Sequence, residues 1–196
     1  MQAERVLRVD CEPRSLVAID SAKKHLVSTQ PDGKITRWSI RKGHSDQLRG
    51  HMRRATCLAF SPRSDLLCTG SLDHSLRLFN MDGGECIGVL EGHEDEVTCA
   101  TFDSQGRLVC SGSADKSLKL WRVMDGRSIR AYKGTENPVI WLACAPRSSD
   151  ADRARTIALG PGSMSLRDLP ARMCTQVLGR IRVAQAGNSP PPHWRW

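Results

Sequence analysis

The sequence lacks any long apolar run. Its longest, VIWLACA at residues 139–145, is far shorter than the roughly twenty residues that a bilayer-spanning helix needs. The opening residues, MQAERVLRVD, also lack the apolar core of a signal peptide. We therefore expect a chain that does not enter a membrane and that stays in the cytosol or the nucleus.

No Cys-x-x-Cys pair occurs among the eight cysteines, so neither zinc nor a disulfide framework is indicated by their spacing. Instead, Cys57 is followed 42 residues later by Cys99, and Cys68 by Cys110, each within an apolar run. Such cysteines behave as small buried hydrophobic residues, and their thiols should be reduced. We predict no metal and no cofactor, since metal-ligand spacing is also missing from His25, His44, His74 and His193.

The net charge of +8 is not spread evenly along the chain. Residues 1–49, 50–146 and 147–196 contribute +4, −1 and +5, so the excess of basic residues lies at the two ends. Basic clusters are common on solvated surfaces, and we favour that explanation over a phosphate-binding patch. Nucleic acid is therefore a less favoured partner than protein.

A repeat of 42 residues is the strongest feature that the sequence does contain. Residues 50–91 and 92–133 are identical at 15 of 42 aligned positions, including a Gly-His pair at the start of each copy. Each copy contains four short runs typical of strands, separated by turn sequences such as SPRSD and MDGGE. The pattern predicts two similar four-stranded units.

Two weaker copies flank this pair. Residues 15–38 align with the first copy at an offset of 41, which places Trp38 under Phe79, although the Gly-His pair is missing. Residues 134–178 form a fourth copy with six extra residues and with Thr135 in place of the histidine. Residues 179–196 match nothing and have the composition of a disordered, proline-rich tail.

The Gly-His pairs and the stretch SGSADKSLKLW at residues 111–121 resemble the WD-repeat (beta-transducin-like) family. The resemblance implies an all-β propeller of about four four-stranded blades, at approximately 5–49, 50–91, 92–133 and 134–178. One departure is that Arg122, Asn80 and Ser39 stand where the family has the aspartate of its Trp-Asp pair. Because few blades are present, we expect either a small or incompletely closed propeller or a truncated form of a longer protein.

The resemblance also implies a hydrogen-bonded structural tetrad in a blade. In the third blade its members are His93, Ser111, Asp115 and Trp121. The second blade has the corresponding set His51, Thr69 and Asp73, with Phe79 in the place of the tryptophan. In the fourth blade all four residue types are replaced, by Thr135, Leu159, Ser163 and Leu169.

A catalytic Ser-His-Asp set is the alternative interpretation of these residues. It would need an exposed nucleophile and an oxyanion hole, and no Gly-x-Ser-x-Gly elbow is present. The sequence GPGSMS at 160–165 lacks the lysine of a phosphate loop. Two copies of one set at blade spacing favour a structural role.

We therefore predict a non-enzymatic scaffold that presents the loops of its propeller rim to protein partners. An RNA-associated protein that uses the basic ends and a hydrolase that uses His93 and Ser111 are the alternatives. By resemblance to the family, the loops after the two Gly-His pairs share one rim with the residues just before the tetrad aspartates. The candidate contact residues are Arg53, Arg54, Leu72, Glu94, Asp95, Glu96 and Ala114. The basic and acidic loops either serve a partner of mixed charge or simply neutralise each other.

Overall fold

The computed structural model describes residues 15–133, 137–144 and 156–159. These residues form three four-stranded antiparallel sheets and one two-stranded sheet, with no helix in the described ranges. No segment of these ranges forms a helix suited to crossing a bilayer. The all-β prediction is confirmed.

Each four-stranded sheet is one blade, built from strands in sequence order. Blade 1 contains β1 (Val17–Ile19), β2 (His25–Thr29), β3 (Ile35–Ser39) and β4 (Ser45–Leu48). Blade 2 contains β5 (Ala55–Phe60), β6 (Leu66–Ser71), β7 (Leu76–Asn80) and β8 (Cys86–Leu90). Blade 3 contains β9 (Val97–Phe102), β10 (Leu108–Ser113), β11 (Ser117–Arg122) and β12 (Ser128–Lys133).

The two-stranded sheet pairs β13 (Trp141–Cys144) with β14 (Thr156–Leu159), inside the sequence that predicts the fourth blade. Apart from residues 137–140, the rest of that predicted blade, with Thr135, Ser163 and Leu169, lies outside the described residues, as does the predicted tail at 179–196.

Because neighbouring strands are antiparallel, the connections of each blade alternate between two ends. We call one end the upper rim; it holds the β2–β3, β6–β7 and β10–β11 turns and the connections between blades. The other end, the lower rim, holds the turns between the first and second and between the third and fourth strands of each blade. The third-to-fourth turn needs a left-handed residue in every blade, supplied by Gly43, Gly84 and Gly126 with φ of 69°, 85° and 68°.

The hydrophobic core lies between the blades. Val27, Ile35 and Leu48 of blade 1 pack with Leu67, Phe79 and Met81 of blade 2. Leu76, Leu78 and Leu90 of blade 2 pack in turn with Val97, Val109 and Trp121 of blade 3. Blade 3 continues the pattern, because Cys99, Cys110 and Leu118 pack with Val139 and Leu142.

The repeated cysteines lie in these strands. Cys68, Cys99 and Cys110 are buried and Cys57 is half-buried, and none of these four forms a disulfide. Burial raises the pKa of the Cys57 thiol to about 12, so the thiol stays protonated at neutral pH. These cysteines act as packing residues, as their spacing predicts.

Candidate functional site

A chain of hydrogen bonds joins the four predicted tetrad residues of blade 3. His93 lies between two partners, with Nδ1 2.8 Å from Asp115 Oδ2 and Nε2 2.7 Å from Ser111 Oγ. The Trp121 indole N–H donates to the same Ser111 Oγ at 2.8 Å. His93 precedes β9, Ser111 belongs to β10 and Trp121 to β11, so the bonds tie three separate segments together.

The direction of these bonds follows from the donor inventory. The indole can only donate, so Ser111 Oγ accepts from Trp121. The ionised Asp115 carboxylate can only accept from His93 Nδ1, so His93 Nε2 is the acceptor and Ser111 Oγ donates to it. A neutral imidazole that accepts at Nε2 carries its proton on Nδ1, which then donates to Asp115. The chain therefore runs from indole to hydroxyl to imidazole to carboxylate, with each donor matched.

The electrostatics of the site favour this protonation pattern. Burial lowers the pKa of His93 below its ordinary value, against the opposing effect of Asp115, so the imidazole is neutral at pH 7. Burial alone would raise the pKa of Asp115, but hydrogen bonds from Ser117 and from the Glu94 amide outweigh it and hold that pKa well below the usual range. The Glu94 N–H donates to Asp115 Oδ2 at 2.9 Å, which fixes the loop after His93.

Blade 2 repeats three of the four members. His51 Nδ1 lies 2.8 Å from Asp73 Oδ2, and His51 Nε2 lies 2.8 Å from Thr69 Oγ1. Phe79 has no donor for Thr69. Burial would raise the pKa of Asp73, yet hydrogen bonds from Ser75 and His51 lower it to about 2.

Blade 1 keeps only part of the arrangement, because its sequence has no equivalent histidine. Trp38 Nε1 donates to Ser28 Oγ over 3.3 Å, a longer bond than its counterpart in blade 3.

The blade 3 set has the hydrogen-bond order of a catalytic triad but lacks the exposed nucleophile that a triad needs. Ser111 is fully buried, and the His93 side chain has no exposed surface. A substrate carbonyl would have to reach the hydroxyl that already accepts the indole N–H and donates to the imidazole. In the described part of the chain, no group of three metal-ligating side chains is present either. The arrangement can support loops; it offers no reactive group to solvent.

The predicted contact residues of blades 2 and 3 come together at the upper rim. The Leu72 N–H donates to the Arg54 carbonyl at 3.1 Å, and the equivalent Ala114 N–H donates to the Glu96 carbonyl at 2.9 Å. In each blade, the loop after the histidine is thus bonded to the turn that carries the tetrad aspartate. The sharing of one rim by these loops and turns was inferred from the resemblance, and it is what the structure shows.

The basic and acidic loops of this rim are not joined by salt bridges within the described ranges. Glu94 pairs with Lys133 of its own blade, with 2.9 Å between Oε1 and Nζ. Arg53 and Asp95 are exposed, and Arg54 and Glu96 are partly exposed. Direct ion pairing between the two loops does not account for their charges.

One residue of this rim is missing from the sequence-based list. Met52, directly after His51, is 89% exposed. It borders a cavity of about 300 Å³ between blades 2 and 3, which Asp73, His74 and His93 also line. The only sequence feature that could have identified Met52 is an apolar side chain inside a polar loop.

These features define a propeller whose blades are held by histidine-centred hydrogen bonds. The family model of the WD domain, G-beta repeat (WD40), matches residues 42–80 and 84–122. The chain carries WD40 repeats, and the predicted relationship to the WD-repeat family is confirmed.

Solved structures with a similar fold include "Structure of U3-55K" and "Crystal structure of RRP9 WD40 repeats". They are each 22% identical to this chain, with TM-scores of 0.60 and 0.59. In both cases the match covers 64% of this chain, and it covers 41% and 40% of the respective solved chains. The match thus extends over about two-fifths of the length of those structures. Comparison with curated proteins gave no significant match.

Proposed function

We propose that the chain is a non-enzymatic protein-interaction scaffold, in which the upper rim of blades 2 and 3 binds a partner of mixed charge. The observation that carries this proposal is the boundary between the Arg53–Arg54 loop and the Glu94–Glu96 loop, where the charges are not paired with each other. Exposed Met52 adds an apolar contact to this boundary, beside a cavity whose other side chains are polar.

The rim has the rigidity that a binding surface needs. Both loops are bonded to their tetrad aspartates, at 3.2 Å from the Met52 N–H to Asp73 and at 2.9 Å from the Glu94 N–H to Asp115. Preorganised loops lose little conformational freedom on binding, so more of the contact energy appears as affinity. Charged loops on such a support act mainly on association rate and partner choice.

The test is a pair of charge reversals on opposite rims. The pair Arg53→Glu and Arg54→Glu reverses the charge of the basic loop. The pair Arg107→Glu and Arg127→Glu makes the same change of charge on the lower rim of blade 3. Proteins cross-linked to the 196-residue chain in a cell lysate are identified by mass spectrometry. We expect the first pair to lose specific partners that the second pair retains.

The control for folding uses the different exposure of the two arginines. Arg54 Nε is buried without a hydrogen-bond partner, so its replacement can perturb packing, whereas Arg53 is exposed. The single variant Arg53→Glu should therefore keep the wild-type melting temperature and still lose the partners. An unchanged set of partners in a folded Arg53→Glu variant contradicts the proposal.

A further inference from the structure

A second surface feature lies on the lower rim of blade 1, on the side of the blades opposite to the upper rim. The β1–β2 turn, the β3–β4 turn and the β7–β8 turn of blade 2 surround a cavity of about 210 Å³. Four basic side chains and two histidines line it: Lys24, Arg37, Arg41, Lys42, His25 and His44. This cavity shares no residue with the upper-rim surface described above.

This combination of basic residues is peculiar to blade 1. The position of Lys24 is taken by Asp65 in blade 2 and by Arg107 in blade 3. The position of Lys42 is taken by Gly83 and Asp125. Neither of the other two blades repeats the whole set, although both form the same turns, so the basic cluster is not required to form them. The cluster therefore has a reason other than the architecture of the blade.

Arg37 forms an anchored floor for this cavity. It is 7% exposed and stands where the other two blades have Leu78 and Leu120. Its Nε and Nη2 donate to the Asp46 carboxylate at 2.9 and 2.5 Å, and its Nη1 donates to the Met81 carbonyl of blade 2. The bidentate pair with Asp46 neutralises Arg37 within blade 1, and the bond to the Met81 carbonyl links blade 1 to blade 2.

The charge that faces solvent belongs to the residues above this floor. Lys24, Arg41 and Lys42 are exposed. Neither Lys24 nor Lys42 forms a salt bridge with a residue of the described ranges. Two ammonium groups that share one concave site repel each other, and an anion bound between them relieves that repulsion.

We propose that this cavity binds the phosphoryl group of a phosphorylated segment of a partner protein. A phosphate presents several strong acceptor oxygens to the surrounding ammonium and guanidinium groups, which are its preferred donors. The site goes beyond the proposed scaffold function and does not rest on it, because the two surfaces occupy opposite rims.

The surroundings favour a peptide over RNA. Asp82 lines the cavity and Glu85 follows on the same turn of blade 2, so the charge becomes negative directly beside the basic cluster. A nucleic acid would bring further phosphates against these carboxylates, and among the described residues no Phe, Tyr or Trp lines the cavity for base stacking. A phosphorylated residue followed by basic residues complements both charges.

The first test is a titration of the full 196-residue chain with inorganic phosphate, followed by nuclear magnetic resonance of the backbone amides. The shifts should be confined to the amides of residues 23–25 and 41–44 and should be absent with equimolar chloride. Lys24→Glu with Lys42→Glu should remove them. The matched pair Arg107→Glu with Arg127→Glu, which has the same change of charge at equivalent turns of blade 3, should leave them unchanged. If the double variant does not fold, Lys42→Gln alone should reduce them.

The second test separates the possible sources of the phosphate. The probes are a fluorescein-labelled peptide with one phosphoserine followed by two arginines, its unphosphorylated copy, and a single-stranded RNA. We expect the phosphopeptide to bind about tenfold more tightly than the unphosphorylated peptide, a factor of the size that one or two charge-assisted hydrogen bonds supply. Lys24→Glu with Lys42→Glu should remove that difference.

Three results would overturn the proposal. One is the absence of localised phosphate shifts in the wild-type chain. Another is equal affinity for the two peptides. The third is RNA binding that is tighter than phosphopeptide binding and is weakened equally by both variant pairs, which would indicate a general basic surface. The rim variant Arg53→Glu should leave both tests unchanged, so failure here is distinguishable from failure of the scaffold proposal.

Discussion

Replacement of Trp121 by phenylalanine tests the hydrogen-bonded chain of blade 3 at its donor end. The substitution removes the indole N–H that donates to Ser111 Oγ at 2.8 Å, and both residues are buried, so water cannot replace the donor. Ser111 would still donate to His93, so only one acceptor site loses its partner. We expect a loss of about 1–3 kcal/mol in the free energy of unfolding.

The assay is urea-induced unfolding of the 196-residue chain, followed by circular dichroism. The matched comparison is in blade 2, where Phe79 occupies the position of the tryptophan and lies diagonally across the β6–β7 pair from Thr69. Its substitution Phe79→Trp should be neutral or stabilising, because the new indole gains Thr69 Oγ1 as an acceptor. If Trp121→Phe and Phe79→Trp both leave the unfolding midpoint unchanged, the hydrogen-bond argument is wrong.

Two further predictions concern pH and local stability. Burial lowers the pKa of His51 and His93 below 6.5. As the pH drops below about 6.5, the unfolded chain therefore takes up protons that the folded chain does not. The urea concentration at the unfolding midpoint should then fall. The pKa of Asp73 is lowered to about 2, so its contribution to stability is present above pH 3.8 and is lost as the pH falls towards 2. An unfolding midpoint that does not change between pH 7.5 and pH 3 would contradict the predictions for the histidines and for Asp73. Amide hydrogen exchange, measured by mass spectrometry, should be faster in β13 and β14 than in β10 and β11, because the fourth copy lacks all four tetrad residue types. Equal protection of these strands would show that the tetrad does not stabilise its blade.

Blades 2 and 3 could be predicted because the sequence contains two copies of the same 42-residue pattern. The 15 identities locate equivalent strands, and the donor and acceptor types of His93, Ser111 and Trp121 leave few ways to satisfy each other in a buried site. The upper-rim neighbours followed from the family resemblance. A local pattern, its repetition and simple hydrogen-bond chemistry were sufficient for these features.

The lower-rim cavity could not be predicted because its walls come from three turns in two blades. In the sequence, Arg37 is a charged residue at a strand position where the other two copies have leucine. Its burial depends on Asp46 on the adjacent strand and on the Met81 carbonyl of the next blade, and no spacing rule connects these residues. The basic excess of residues 1–49 was attributed to solvated surface. The fold instead gathers Lys24 and Lys42 around one cavity, and whether they bind phosphate stays a proposal.

The location of the core between blades has a consequence for synthesis on the ribosome. Val27, Ile35 and Leu48 find their packing partners only when Leu67, Phe79 and Met81 have been made. Each blade must therefore wait for the next one to emerge before its apolar residues are covered, and a nascent chain always carries one unfinished face. Chaperones that bind exposed apolar segments have a target at every stage of elongation. A pause in translation before Met81 has left the ribosome would keep the blade 1 face uncovered, whereas a pause after the whole of blade 2 has emerged would find that face already packed.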